Sequence, residues 1–284
     1  MKHYPGNLIK NIAILGHGGS GKTTLADAIL YCFGAAERIG KIADGTTVMD
    51  FDPEEKKRKT SVSTAVYSLE AGDKKLNLID APGLFDYAGG VFEALAAADG
   101  AVIAISGKSG LTSGAKQCFT RARAQKKPVS FFIGKLDSSH AHFYRVISSL
   151  VGNYGAVICP VVVPYLENDE VKCYINLIEN KAYSYDGING KDFRMPVSRE
   201  ADDMRSMLLE AVATTDEALM EKYFAGEEFT PDEIITGLKK GVRSGDICPV
   251  FCGVQQTGAA VPLFVKELLE IMPSASDCGY TLSD

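Results

Sequence analysis

The chain has 284 residues, 46% hydrophobic and 23% charged, enough to bury one large core or a core with a small second domain. A net charge of −6 excludes a free-standing nucleic-acid binder, which needs a basic face, but leaves room for docking on a large RNA machine through a local patch. Seven cysteines without a C-x-x-C pair argue for reduced thiols over a disulfide framework or zinc site; with no apolar h-region in residues 1–5 and no apolar run near the ~18 residues of a membrane span, a cytoplasmic location is expected.

Residues 11–15 form a short apolar run that reads as a buried strand. Residues 24–30 read as a helix, with Leu25, Ala28 and Ile29 as its apolar positions. Between them lies Gly16-His17-Gly18-Gly19-Ser20-Gly21-Lys22-Thr23, which fits the phosphate-cradling pattern G-x-x-x-x-G-K-[ST]. Gly21 lets the backbone approach the phosphates, and successive main-chain N–H groups turn toward them as an anion nest. Lys22 supplies a flexible point charge for the β- and γ-phosphates, and the Thr23 hydroxyl is of the kind that ligates Mg²⁺. The positive end of the helix that follows faces the same anion.

Residues 34–58 are polar, lack strong periodicity and are long for a connection, so a mobile or functional loop is expected there. Its basic end, Lys56 to Lys59, reads as a solvated charge run in preference to a phosphate or RNA contact. Residues 62–69 alternate like a half-buried strand, and residues 75–79 follow across a short turn at 71–73, which predicts a hairpin. The second strand ends in Asp80-Ala81-Pro82-Gly83. A carboxylate at a strand's C-terminal end followed by a Pro-Gly turn is where a Mg²⁺-organising Asp and a γ-phosphate-sensing N–H belong in P-loop nucleotidases. Alone the string is turn-like; downstream of a P-loop it gains weight. Core strands are predicted at 101–105 and 129–133, with helices at 91–98, 115–124 and 143–151. Strands alternating with helices imply an α/β fold of three layers, a mainly parallel sheet covered on both faces.

The strand at 129–133 runs into Gly134-Lys135-Leu136-Asp137, which resembles the N-K-x-D guanine signature of the GTPase superfamily with Gly134 in the Asn position. Residues 11–137 as a whole resemble the GTPase domain of translation elongation factor G, and more closely its elongation-factor-G-like paralogues. The shared features are the form of the P-loop and the run Asp52-Pro53-Glu54-Glu55-Lys56-Lys57-Arg58 leading into switch I. Residues 249–253 and 261–273 are similar to that domain's last strand and helix. Residues 165–246 are similar to the family's inserted G′ subdomain, with Met204, Met207, Leu208, Ala211 and Val212 as a helical apolar stripe. The resemblance thus implies a P-loop NTPase fold with a small α+β insertion: a G domain of residues 1–164 and 247–284 interrupted by residues 165–246. It also implies that the chain is a GTPase module cut from a factor with further domains.

By the same resemblance, Gly16, His17, Gly18, Gly19, Ser20, Gly21, Lys22, Thr23 and Thr24 hold the phosphates of GTP or GDP. Thr23, Ser61 and Asp80 serve Mg²⁺, Lys22 and Gly83 serve catalysis, and Lys135, Asp137, Val254 and Gln255 hold guanine. Three positions depart from the family. Leu84 occupies the place of the catalytic His, and Gly134 lacks the Asn amide that ties the base loop to the P-loop. Val254-Gln255 replaces Ser-Ala, so contacts to the guanine carbonyl are expected from backbone N–H groups there. The implied function is a GTP- and Mg²⁺-dependent switch that acts as a monomer with the ribosome, with slow intrinsic hydrolysis, no membrane partner and no stand-alone nucleic-acid binding. The alternative is a guanine-nucleotide-binding regulatory module without useful hydrolysis.

Overall fold

A computed structural model of the chain describes residues 2–278. In chain order its elements are β1 (Ile9–Leu15), α1 (Lys22–Cys32), α2 (Pro53–Arg58), β2 (Ala65–Ala71), β3 (Lys74–Asp80), α3 (Ala88–Ala97), β4 (Gly100–Ser106), α4 (Ser113–Ala124), β5 (Val129–Gly134) and α5 (Phe143–Tyr154). There follow β6 (Ile158–Pro160), β7 (Val162–Glu167), β8 (Glu170–Asn176), β9 (Lys181–Asp186), β10 (Asn189–Phe193), α6 (Arg199–Ala213), α7 (Glu217–Phe224), α8 (Pro231–Ser244), β11 (Cys248–Cys252) and α9 (Val261–Ile271).

Seven strands form one sheet in the order β2-β3-β1-β4-β5-β11-β6. Only β2 runs antiparallel, because it joins β3 through the hairpin turn at Gly72. Every residue of β4, β5 and β11 is buried, so the sheet interior is covered on both faces, as continuous apolar strands require. Phe131, Phe132, Phe251 and Phe264 fill much of that core, with Phe264 of α9 set 4.8 Å from Phe132 and 5.1 Å from Phe251 between ring centroids. Parallel register brings the C-terminal ends of β1, β3, β4, β5 and β11 to one edge, with Ile14 beside Asp80 and Val102, and Ser106 beside Gly134. The loops leaving those strands therefore gather along a single rim, where α/β sheets build their sites.

The second sheet is four-stranded and antiparallel, in the order β10-β9-β8-β7. It starts at Val162, directly after the edge strand β6 and slightly ahead of residue 165. Pro160 and Pro164 both sit in edge strands, where a missing N–H breaks no interior ladder. The two sheets are joined by a buried bond from Asn176 Nδ2 of β8 to Glu267 Oε1 of α9 (3.0 Å), and α6 packs on β6 while α8 packs on α9.

The polar stretch 34–58 is more ordered than its sequence suggests. Its end forms α2, fixed by a reciprocal capping box between Asp52 and Glu55 with Pro53 at the first helical position. Glu55 is buried and accepts from the N–H groups of Val62 (2.9 Å) and Ser63 (3.0 Å), which ties the helix to the chain entering β2. Lys56, Lys57 and Arg58 thus ride on the last turn of a short helix, where basic groups suit the dipole. Among the described residues no helix is long and apolar enough to cross a membrane.

Candidate nucleotide site

The loop between β1 and α1 wraps the N-terminus of α1. Gly16, Gly19 and Gly21 take φ values of +142°, +76° and +96°, conformations that L side chains resist. Lys22 and Thr23 begin α1 and are buried beneath this loop. The Lys22 ammonium donates to His17 O across the loop (3.2 Å), and burial holds its pKa below the usual lysine range. Gly83 is packed so closely that a Cβ there would meet Lys22 Nζ and lie 2.8 Å from Gly18 N. The loop after β3 therefore closes against the P-loop itself. Leu84 follows, with its side chain against Gly18, and remains 39% exposed.

Beneath the P-loop, hydroxyls and carboxylates converge. Thr23 Oγ1 donates to Asp80 Oδ2 (2.7 Å), and Ser61 Oγ donates to Asp50 Oδ1 (2.7 Å). With each hydroxyl's single proton taken by a carboxylate, Thr23 Oγ1 and Ser61 Oγ face each other with lone pairs at 3.0 Å. Asp80 Oδ1 is buried without a hydrogen-bond partner. Oxygen atoms about 3.0 Å apart, next to an unmet carboxylate oxygen, suit a small hard cation whose octahedral arms are ~2.1 Å. The electrostatics agree: burial first, then repulsion from Asp50 and Asp27, raises the Asp80 carboxyl to about 7 despite Lys22 and Thr23 acting the other way. The residues present fit Mg²⁺.

Two members of this cluster were not singled out in the sequence. Asp27 lies one helical turn after Thr23 and accepts from the N–H groups of Gly40 and Val48, each at 3.1 Å. It anchors the 40–48 segment over α1, and burial lifts its carboxyl to about 6. Asp50 takes the Ser61 hydroxyl and also that of Thr47 (3.3 Å). The i, i+4 spacing of Thr23 and Asp27 on one helix face was the available signal for the first; the second has none short of the folded loop.

At the other end of the rim, Lys135 adopts a left-handed backbone (φ +57°) at the end of β5. Its Nζ donates to Gly19 O (2.7 Å) and its backbone N to Gln255 Oε1 (2.8 Å). The link between base loop and P-loop expected to be missing at Gly134 is therefore supplied by the Lys135 side chain. In the Val254-Gln255 loop the Val254 N–H is committed to Ala259 O (3.0 Å), and the Gln255 side chain reaches back to Lys135. Gly19, Gly21, Thr24, Lys135 and Gln255 line one cavity of about 490 Å³, closed on its far side by Ile39 to Ala43. Asp137 is exposed and lines a neighbouring cavity of about 400 Å³ with Tyr174, Tyr185 and Val254; Thr257 borders both. The structure thus gathers Lys22, Thr23, Ser61 and Asp80 into one cluster and Lys135 with Gln255 into another, and sets Asp137 just beyond the second.

The family model for the elongation factor Tu GTP-binding domain matches residues 7–274. A solved protein from Thermus thermophilus is similar at a TM-score of 0.88 and 34% sequence identity, over 95% of this chain and 41% of that one. The chain therefore spans about two fifths of the length of that protein. With a glycine-bent phosphate loop, a hydroxyl–carboxylate cluster beneath it and a second loop clamped to it by lysine, the chain belongs to the elongation factor Tu GTP-binding domain family.

Proposed function

We propose that this domain is the GTP-binding and GTP-hydrolysing switch of a cytoplasmic translation factor of the elongation factor G type, working as a monomer with the ribosome. The observation that carries the reading is the convergence of Thr23, Ser61 and Asp80 under the P-loop, joined along the same rim by Lys135 on Gly19. In this reading Lys22 and the N–H groups of residues 18–24 hold the phosphates. Thr23 and Ser61 would hold Mg²⁺, which when bound neutralises phosphate charge, and Asp80 orients the Thr23 hydroxyl. The Lys135 stem covers the base and Asp137 accepts from the guanine ring and exocyclic nitrogens. Gly83 presents its N–H toward the terminal phosphate. Residues 165–246 act as an inserted subdomain that carries no chemistry of its own.

At the position where the family carries its water-orienting His, this chain has Leu84. Leu84 can neither accept a proton nor hold a water, and its contact with Gly18 places an apolar surface beside the phosphate loop. Intrinsic hydrolysis is expected at or below the slow basal level of switch GTPases. That same leucine supports a second reading, a nucleotide-binding regulatory module whose hydrolysis is idle. Pre-steady-state phosphate release by wild type and Leu84→His, each with and without ribosomes, separates the two. Turnover raised in Leu84→His only with ribosomes supports the translation switch; fast release by wild type alone would show that another residue orients the water. The guanine assignment has its own test, calorimetric titration with GDP and ADP in Mg²⁺, and equal affinities would end it.

A further inference from the structure

We propose that the Gln255 carboxamide, delivered from the loop after β11 into the space in front of Gly134, reads the acceptor edge of the purine and so adds a contact to the base recognition assigned to Asp137. The inference rests on the guanine-nucleotide reading above and names a residue that would carry it. Gly134 and Gly21 both lack a side chain, and the same carboxamide stands before both. A Cβ on Gly134 would overlap its Nε2, Oε1 and Cδ, and one on Gly21 would come within 2.5 Å of Nε2. The group is wedged between the base loop and the phosphate loop.

Its orientation is fixed by a bond. Oε1 accepts from Lys135 N, so Nε2 is the end left over. Gln255 is 2% exposed, and Nε2 has no hydrogen-bond partner. A buried amide donor left unmade is costly and uncommon, which points to a partner that arrives with the ligand. The residue lines the cavity shared by Gly19, Gly21, Thr24 and Lys135, so that partner belongs to whatever spans the two loops. Guanine carries two acceptors on one edge, N7 and O6, and adenine replaces the second with a donor. A single N–H₂ donor held beside the Lys135 backbone suits that edge. Phosphate oxygens are the rival acceptors, but the P-loop N–H groups and Lys22 already face them.

The arrangement is reciprocal. The bare Gly134 is what lets a side chain from across the rim enter, so an amide can be carried on one loop or the other but not on both. The test titrates the intact chain in Mg²⁺ with GDP, with 7-deaza-GDP, which lacks N7, and with 6-thio-GDP, which exchanges O6 for a weak sulfur acceptor while keeping the N1–H and 2-amino donors that face Asp137. Wild type is expected to bind at least one analogue about tenfold more weakly, the size of one good hydrogen bond. Gln255→Ala should weaken GDP by a similar factor and lose the distinction. Gln255→Glu, which keeps the Lys135 bond and removes the donor, should lose it too, and guards against a folding defect in the alanine variant. Gly134→Asn should weaken GDP by crowding, and Gly134→Asn with Gln255→Ala should recover most of the affinity. The proposal is overturned if both Gln255 variants bind GDP as wild type does. It is equally overturned if they lose GDP and both analogues by one common factor, which would put Nε2 on phosphate or give it a packing role alone. Wild type binding GDP and ADP alike would instead end the guanine reading, while a Gln255-dependent penalty for 7-deaza-GDP would still establish the purine contact.

Discussion

At the phosphate end of the rim, consecutive residues supply the donors, and the backbone of 16–23 with Lys22 and Thr23 is a site almost complete in one stretch. At the base end, each contact joins segments far apart in the chain: Lys135 reaches Gly19, and Gln255 reaches Lys135. The first end is set by local backbone geometry and tolerates little variation. The second is set by side chains crossing between loops, so the same polar group can be carried on either loop. On the proposed reading the difference also divides the work: charge and main-chain dipoles would grip any nucleotide, whereas the crossing side chains would choose among bases.

The division predicts variants with separable defects. Lys22→Ala is expected to have the largest effect, weakening GDP and ADP alike by roughly a thousandfold, the size of two charge-assisted hydrogen bonds. Calorimetry that found a loss for GDP only would break the division. Asp137→Ala should cost GDP about a hundredfold and leave ADP nearly unchanged, because the bonds lost are those that adenine cannot return. A parallel loss of ADP would mean that the exposed carboxylate shapes the loop instead of reading the base.

The smallest effect sharpens the phosphate end. Asp27, buried beneath the 40–48 segment, titrates near 6 in the fold, against ~3.9 when unfolded. Between about pH 4 and 6 the native state then binds more protons than the unfolded one, so this group's contribution to stability falls as pH rises through that window and levels off above it. Asp27→Asn is expected to flatten that slope, with Asp50, shifted upward by burial as well, retaining part of it. At low pH, where Asp27 is protonated and Asn is its near isostere, the substitution should cost less than about 1 kcal/mol, because a single oxygen can accept from both the Gly40 and Val48 N–H groups. Melting temperatures of the nucleotide-free protein at pH 4.5 and pH 7 check both; an unchanged slope in the variant would place the titration elsewhere.

Legibility followed the same line. The parallel strands, the P-loop and the Asp80 turn could be read because apolar runs and a contiguous motif carry them. The helix α2 was missed although its signature is local: Asp52, Pro53 and Glu55 are an N-cap, a first-turn proline and a capping-box partner in sequence. The short helix lay inside a polar run with no apolar period to announce it. Strand β10 is exposed at all five residues and offers no alternation, and prolines obscured β6 and β7. Gln255 could be listed as near the base but its contact could not be foreseen, since the partner lies 120 positions away and depends on an empty space at Gly134.

That empty space also constrains history. If an ancestral chain carried Asn at position 134, a side chain as long as Gln255 could not have settled in its present place first, because the two would occupy one volume. In such a chain a glutamine at 255 would have needed another rotamer, and the present contact could form only once position 134 had lost its side chain. Substitutions at these two sites are thus coupled through one shared volume. The coupling would be measurable as sign epistasis: Asn at 134 is harmful beside Gln255 and beneficial once that glutamine is gone.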